Sequence, residues 1–431
     1  MPERPESVMD PAEDPAPAPG GAEAPELRDR FMRQAGLVLA LLFTAICIGA
    51  APFIEPPFIL SILVILFSGV LYLIRGTRSL SLSIIILALL YGLGWLPLLI
   101  FVTTLGIVAV GEIAYRAAKG GHHRYLTYFA AATAGGALAM LWAGNRDPLL
   151  LLLGVVVAVL LKSALGERND VLMVEGLGVA MTMYLFEDLN YPVPDRLLVT
   201  AIVVAFSFAY FAYRFRVADV SGLFSGALAG IILIVFTGDV RWFVVMLAFL
   251  VMGSAATRYR FDLKAAAGLA ETHGGVRGYV NVFANGLVGI AAAVLYGISG
   301  GNPLFLALFL GSVATAAADT MGGEIGMTSH EPVLITSLRP VPKGTNGGVT
   351  LLGEAASLVA AAAIALTAYL LHLGGIPLFL SATLAGFLGA NVDSLVGALF
   401  ENQGIIGNAG TNLVATFSGG LIAAGLFLAF T

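Results

Sequence analysis

The stretch LFLALFLGSVATAAADTMGGEIG, residues 304–326, decides how this chain is read. Its first part is uncharged and apolar, as a bilayer-crossing helix requires. It then ends on two carboxylates, Asp319 and Glu324. A carboxylate next to hydrocarbon costs a few kcal/mol unless something pairs with it. The segment therefore reads as a membrane helix whose end does chemistry, and the partners of its two acids become the question.

Composition extends the membrane reading to the whole chain. Of 431 residues, 58% are hydrophobic and only 11% charged, and the mean hydropathy is +0.92. A soluble protein needs more polar surface. Apolar runs of membrane length fall near 35–53, 58–74, 80–94, 96–115, 125–143, 148–164, 171–186, 197–213, 218–237, 241–256, 279–297, 303–318, 350–372, 377–400 and 411–430. They lack the alternation of a barrel, and helices alone satisfy their backbone groups inside such segments. The expected fold is all-α, a polytopic membrane helical bundle of about fifteen transmembrane segments. The lone Cys47 lies in the first run and cannot form an intramolecular disulfide. Residues 1–30, rich in Pro, Ala and Glu, read as a disordered cytoplasmic tail.

Counting spans from an inside N-terminus places nineteen of the 22 Lys and Arg residues on the inner side, and only Arg146, Arg196 and Arg241 outside. This positive-inside bias predicts a cytoplasmic N-terminus and an outside C-terminus. It also puts TRYRFDLK (257–264), HGGVRG (273–278), the segment 319–349 and ENQGIIGN (401–408) on the face that meets nucleotides. No basic face remains for nucleic acid.

Those inner segments hold the candidate chemistry. On an ideal helix Thr320 and Glu324 share a face, whereas Asp319 and Glu324 lie about 140° apart. Gly322 and Gly323 permit an unwinding that would turn both acids toward one point. PKGTNGG (342–348) sets Lys343 beside Gly344, Thr345, Asn346, Gly347 and Gly348. Such a turn can offer N–H groups and an ammonium to phosphate oxygens, although it is not a Walker A loop. Asn391, Asp393 and Ser394 interrupt a further apolar run that Glu401 ends, and Asn285 and Asn412 sit near the inner ends of theirs. Arg258, Arg260, Lys264 and Arg277 supply cations. The combination fits phosphoryl transfer. Mg²⁺ is commonly held by one or two carboxylates plus substrate phosphates, and basic clamps stabilise the transferred group. Asp319, Glu324 and Asp393 are the expected metal ligands. Lys343, Arg258, Arg260 and Arg277 are the expected clamps.

The ordered elements RGYVNVFANG (277–286), ATAAADTMGGEIG (314–326), LITSLRPVPKGTNGGVTLLG (334–353) and NVDSLVGALFE (391–401) resemble the integral-membrane family that includes plant phytyl-phosphate kinase. The resemblance covers about residues 216–431. It implies conversion of an isoprenoid monophosphate to its diphosphate by a nucleoside triphosphate, CTP or ATP. Asp319, Glu324, Lys343, Asn346 and Asp393 fall on matching motif positions. Many relatives carry a Cys/His insertion after the Asp-Ser-Leu span, where this chain has only ENQGIIGNAGTN (401–412), and Met-Gly-Gly follows Asp319-Thr320 in place of larger residues.

Residues 31–215 are expected to form a separate N-terminal membrane module. HHRYLTYFAAATAGGALAML (122–141) and LKSALGERNDVLMVEGLGVAMTMYLF (161–186) faintly resemble polyprenol and phytol kinases. A Gly-Asp pair expected of an active copy is absent, which favours a degenerate or partner module and leaves 216–431 as the catalytic part. The expected function is a multi-pass cell-membrane prenyl-phosphate kinase, able to form oligomers. A lipid-phosphate or anion transporter built on broken helices and a cytidylyltransferase acting on lipid phosphates are the alternatives.

Overall fold

The computed structural model describes residues 23–74, 77–118, 121, 123–166, 171–270 and 272–431. The first half contains α1 (Glu23–Ala50), α2 (Pro57–Leu73), α3 (Arg78–Gly92), α4 (Leu98–Ala117), α5 (His123–Trp142), α6 (Pro148–Leu165), α7 (Val171–Leu189) and α8 (Asp195–Arg214). The second half continues with α9 (Val220–Thr237), α10 (Val240–Arg258), the short α11 (Phe261–Ala266), α12 (Tyr279–Ile298) and α13 (Pro303–Gly326). A small hairpin of β1 (Val333–Leu334) and β2 (Gly348–Val349) follows. Then come α14 (Leu351–Leu370), α15 (Ile376–Val396) and α16 (Asn408–Phe430).

Each apolar run of the sequence corresponds to a helix. Among the described residues eleven helices are long and apolar enough to cross a membrane, and α2 and α3 are apolar but shorter. The chain is thus a multi-pass, all-α membrane protein. α1 begins at Glu23, and residues 1–22 of the expected tail lie outside the described residues.

Local chemistry sets the helix starts. Asp147, Asp219, Asp239, Asn302 and Thr350 each accept a hydrogen bond from a first-turn N–H. Such caps satisfy donors that a helix start otherwise leaves orphaned.

α13 is the hub of the second half and touches α10, α12, α14, α15 and α16. Small residues make this possible, since packing between membrane helices depends on close approach and not on a hydrophobic drive. A Cβ at Gly386 of α15 would sit 2.7 Å from both Ala314 of α13 and Ala361 of α14. At Gly311 of α13 it would meet the Gly419 carbonyl of α16 at 2.5 Å. The halves join where α9 packs on α6 and α8.

The N-terminal half has its own buried polar cluster. Glu112 of α4 accepts from Arg116 Nε and Lys162 Nζ, each at 2.5 Å, while the Tyr128 hydroxyl donates to Glu175 of α7. Buried charges in a bilayer need such partners. Of the polar run that follows Lys162, residues 167–170 lie outside the described residues.

Candidate active site

The two acids that end α13 have separate fates. α13 runs unbroken to Gly326, so the unwinding expected at Gly322 and Gly323 does not occur. Gly322 instead lets α14 approach, its Cα lying against Ser357. With the helix intact, the angular separation holds and the carboxylates turn to different neighbours. Glu324, 4% exposed, accepts from Lys264, 3% exposed. Lys264 reaches it because Arg260 takes a left-handed conformation (φ 47°) and folds α11 back under α10. There its ammonium also donates to the carbonyls of Ala256 (3.2 Å) and Thr257 (2.8 Å), closing the C-terminus of α10.

Asp319 faces Asp393 of α15 within hydrogen-bonding reach. Asp393 Oδ1 is buried and has no hydrogen-bond partner. Two carboxyl groups so close near hydrocarbon call for a proton or a cation between them.

These acids line a polar cavity of about 330 Å³. Its walls are the C-terminal ends of α13 and α15, the N-terminal ends of α12, α14 and α16, and the loop 327–350. The loop is held by its hairpin, in which Val333 pairs with Val349 and Leu334 with Gly348. Gly344 and Gly347 adopt φ of +83° and +79°, which only glycine takes without strain. Gly347 is doubly constrained, because a Cβ there would lie 2.5 Å from the Ser394 carbonyl and from Ala398 Cβ. Asn402 Nδ2 donates to the Asn346 carbonyl at 2.9 Å, tying the loop tip to the π-helical turn Gly397–Glu401 after α15. Irregular helical turns of this kind recur at functional sites. No backbone carbonyl among the described residues takes the N–H of Gly344, Asn346 or Gly347. The Lys343 ammonium rests on the carbonyls of Met327 (3.3 Å) and Ser329 at the end of α13.

The cavity gathers Arg277, Asn285, Asp319, Thr320, Lys343, Thr345, Asn346, Gly347, Gly348, Asp393, Ser394 and Asn412 from the expected site. Arg277, 7% exposed, lays its guanidinium 5.4 Å from the Phe249 ring. Asn412 Nδ2 donates to Asn285 Oδ1 at 3.4 Å.

Other expected residues fall elsewhere. Arg258 donates to the Phe215 carbonyl at 3.4 Å and Arg260 lies over Tyr259 at 5.4 Å, so neither clamp reaches the cavity. Lys264 is committed to Glu324 and does not line the cavity. Asn391 does not line the cavity itself but donates to Glu354 Oε2, at its wall, at 3.1 Å. Glu324 lines the cavity and gives its Oε2 to Lys264, while its Oε1 is buried without a hydrogen-bond partner. Among the described residues no group of three or more His, Cys, Asp or Glu is placed to hold a metal.

Asn281, Glu354, Ser357 and Asn408 also line the cavity, and sequence reasoning passed over them. Asn281 precedes Asn285, and Asn408 precedes Asn412, by one helical repeat. That i, i+4 spacing near a helix start was the available signal. Glu354, in the first turn of α14, is masked by looking like an ordinary helix-start acid.

The family model for integral membrane protein DUF92 matches residues 203–420, which begin within α8 and include every wall of the cavity. An uncharacterized membrane protein of Methanocaldococcus jannaschii is 37% identical over 228 residues, 53% of this chain and 92% of its own length. Protein PGR of Arabidopsis thaliana is 30% identical over 239 residues, 49% of this chain and 81% of its own. The chloroplastic protein VTE6 of Arabidopsis thaliana is 30% identical over 196 residues, 43% of this chain and 58% of its own. No solved structure matches the chain. With the family model matched over half of its length, on helices that wall one cavity, the chain belongs to the DUF92 family of integral membrane proteins.

Proposed function

We propose that this protein is a membrane prenyl-phosphate kinase that moves a phosphoryl group from a nucleoside triphosphate, CTP or ATP, to an isoprenoid monophosphate. One observation carries the reading. The Lys343–Gly348 turn and the Asp319–Asp393 pair, distant in sequence, meet in one polar cavity at a shared end of the membrane helices. The likeness to VTE6, in the family that the motifs resemble, supports the same class of activity.

In the reaction a phosphate oxygen of the lipid attacks the γ-phosphorus of the nucleotide. The bond from that phosphorus to the bridging oxygen breaks, and nucleoside diphosphate leaves with the electron pair. A fully ionised lipid phosphate has no proton to surrender, so the site needs no general base. Its tasks are positioning and charge stabilisation. Lys343 leaves its carbonyl perch and places an ammonium among phosphate oxygens. The N–H groups of Gly344, Asn346 and Gly347 cradle another phosphate, and Arg277 holds the lipid phosphate at the opposite wall.

Mg²⁺ fits the acidic pair, because Asp393 Oδ1 is buried without a partner beside a second carboxyl. Asp319 and Asp393 would hold it, with phosphates filling the other positions. Bound there, it would supply positive charge that offsets the charge on the phosphates.

The test is to supply purified protein in nanodiscs with isoprenoid monophosphates, Mg²⁺ and CTP or ATP. Lipid diphosphate and nucleoside diphosphate should appear in equal amounts by mass spectrometry. Release of pyrophosphate with a nucleotidyl-lipid product would instead mark a cytidylyltransferase. Movement of lipid phosphate across liposomes without nucleotide would mark a transporter.

A further inference from the structure

A second hollow adjoins the polar cavity. It lies among α8, α9, α10 and α12, and its lining is almost wholly apolar or small, including Ala209, Gly226, Ala229, Phe243, Met246 and Gly286. Arg277 and Asn281 line both spaces. Arg277 is therefore the hinge point between a polar chamber and an apolar groove, its guanidinium packed over Phe249 and against Gly253.

Arg277 is fixed in that place by backbone. Its N–H donates to the Val217 carbonyl at 2.8 Å, and its own carbonyl accepts from Asp219 N–H at 3.1 Å. Gly222 lies directly beneath that carbonyl, where a Cβ would collide. From this anchored end the groove runs inward along α9. On α9 its lining runs from Gly222 to Ala229, about 10 Å at the usual helical rise. Phe208 on the α8 wall is 47% exposed, so the groove opens sideways toward lipid.

Resting on the kinase reading, we infer that this groove holds the apolar tail of the isoprenoid monophosphate, and that Gly226 is a residue that sets the tail length accepted. The occupant follows from continuity. An amphiphile whose phosphate meets Arg277 in the polar chamber has an unbroken apolar path for its tail between α9 and α10. A tail leaving the bilayer for this groove gains little from the hydrophobic effect, because lipid is equally apolar. Fit then decides, and shape in the groove becomes a means of discrimination. Gly226 is the position where shape is most open. A Cβ added there meets nothing within 4 Å. Gly222 and Gly230 on the same helix face close contacts and are needed for packing. At Gly286, on the α12 wall, a Cβ makes only an ordinary contact with Met246 at 3.9 Å.

The test uses full-length protein in nanodiscs and an isoprenoid monophosphate with a diazirine at the far end of its tail. After irradiation, labelled peptides should come from α9 and α10 around residues 226–247, and Gly226→Phe should remove that label. Labels confined to α14–α16 overturn the groove. In parallel, diphosphate formation is measured with monophosphates of short and long tails. Gly226→Phe should lower the long-to-short turnover ratio at least about tenfold, a size within reach of pocket-shape discrimination. An unchanged ratio overturns the role of Gly226. Gly286→Leu enters from the facing wall and should shift the ratio the same way, which keeps the test sharp if Gly226→Phe fails to fold. Label in the groove without diphosphate from any nucleotide removes the kinase reading alone. Diphosphate with no label in the groove removes the groove alone.

Discussion

Lys264 on α11 and Glu324 at the end of α13 form a buried ion pair, 3% and 4% exposed, at the wall of the cavity, which Glu324 lines and Lys264 does not. Removing one member leaves a buried charge uncompensated, which costs about 3–5 kcal/mol. Lys264→Met should therefore lower the melting temperature in detergent sharply, and adding Glu324→Gln should recover most of the loss. If Lys264→Met melts like the parent yet is inactive, the lysine belongs to the reaction after all.

The acidic pair behaves differently. Asp319→Asn or Asp393→Asn relieves two facing carboxyl groups and should leave the fold intact or slightly more stable, while abolishing Mg²⁺-dependent turnover. Melting curves and turnover measured on the same preparations separate these effects. Activity retained in either variant takes that aspartate out of the site.

Lys343 should not tolerate arginine. A residue kept only for orientation in the membrane would accept it, whereas a point charge among phosphate oxygens is poorly replaced by a wide planar guanidinium. Lys343→Arg should keep its expression and lose at least about tenfold in phosphoryl transfer, or about 1.4 kcal/mol of transition-state stabilisation. Turnover within a factor of two of the parent would return Lys343 to the membrane anchors.

Gly347 couples the loop to α15. Gly347→Ala demands a left-handed alanine with its Cβ pressed on the Ser394 carbonyl, so the loop must lift away. Activity should drop by at least about tenfold with little change in helix content by circular dichroism, since backbone strain of this kind costs about 1–3 kcal/mol and falls on the loop. Gly425→Ala in α16, where a Cβ meets nothing within 4 Å, should be silent.

Topology offers a further check. Single cysteines introduced near His330, on a background lacking Cys47, should resist a membrane-impermeant thiol reagent in sealed cells and react once the membrane is opened. Labelling from outside would place the cavity away from cytoplasmic nucleotide.

Much of this protein was legible in one dimension. Apolar runs of bilayer length compel helices because no other backbone form satisfies its hydrogen bonds in lipid, and Asp, Asn, Thr and Pro mark where those helices begin. Asp319, Asp393 and the Lys343–Gly348 turn stand out for the same energetic reason, since polar groups near hydrocarbon need a purpose. What sequence left open was pairing. Glu324 and Asp319 look equivalent in the string, yet an unbroken α13 sends one to Lys264 and the other to Asp393. Arg258, Arg260, Lys264 and Arg277 look like one basic set, yet the left-handed turn at Arg260 and the backbone clamp on residue 277 deliver only Arg277 to the cavity. Composition and periodicity act along one helix, whereas the partner of a charge is set by how several helices cross, and that only the tertiary structure decides.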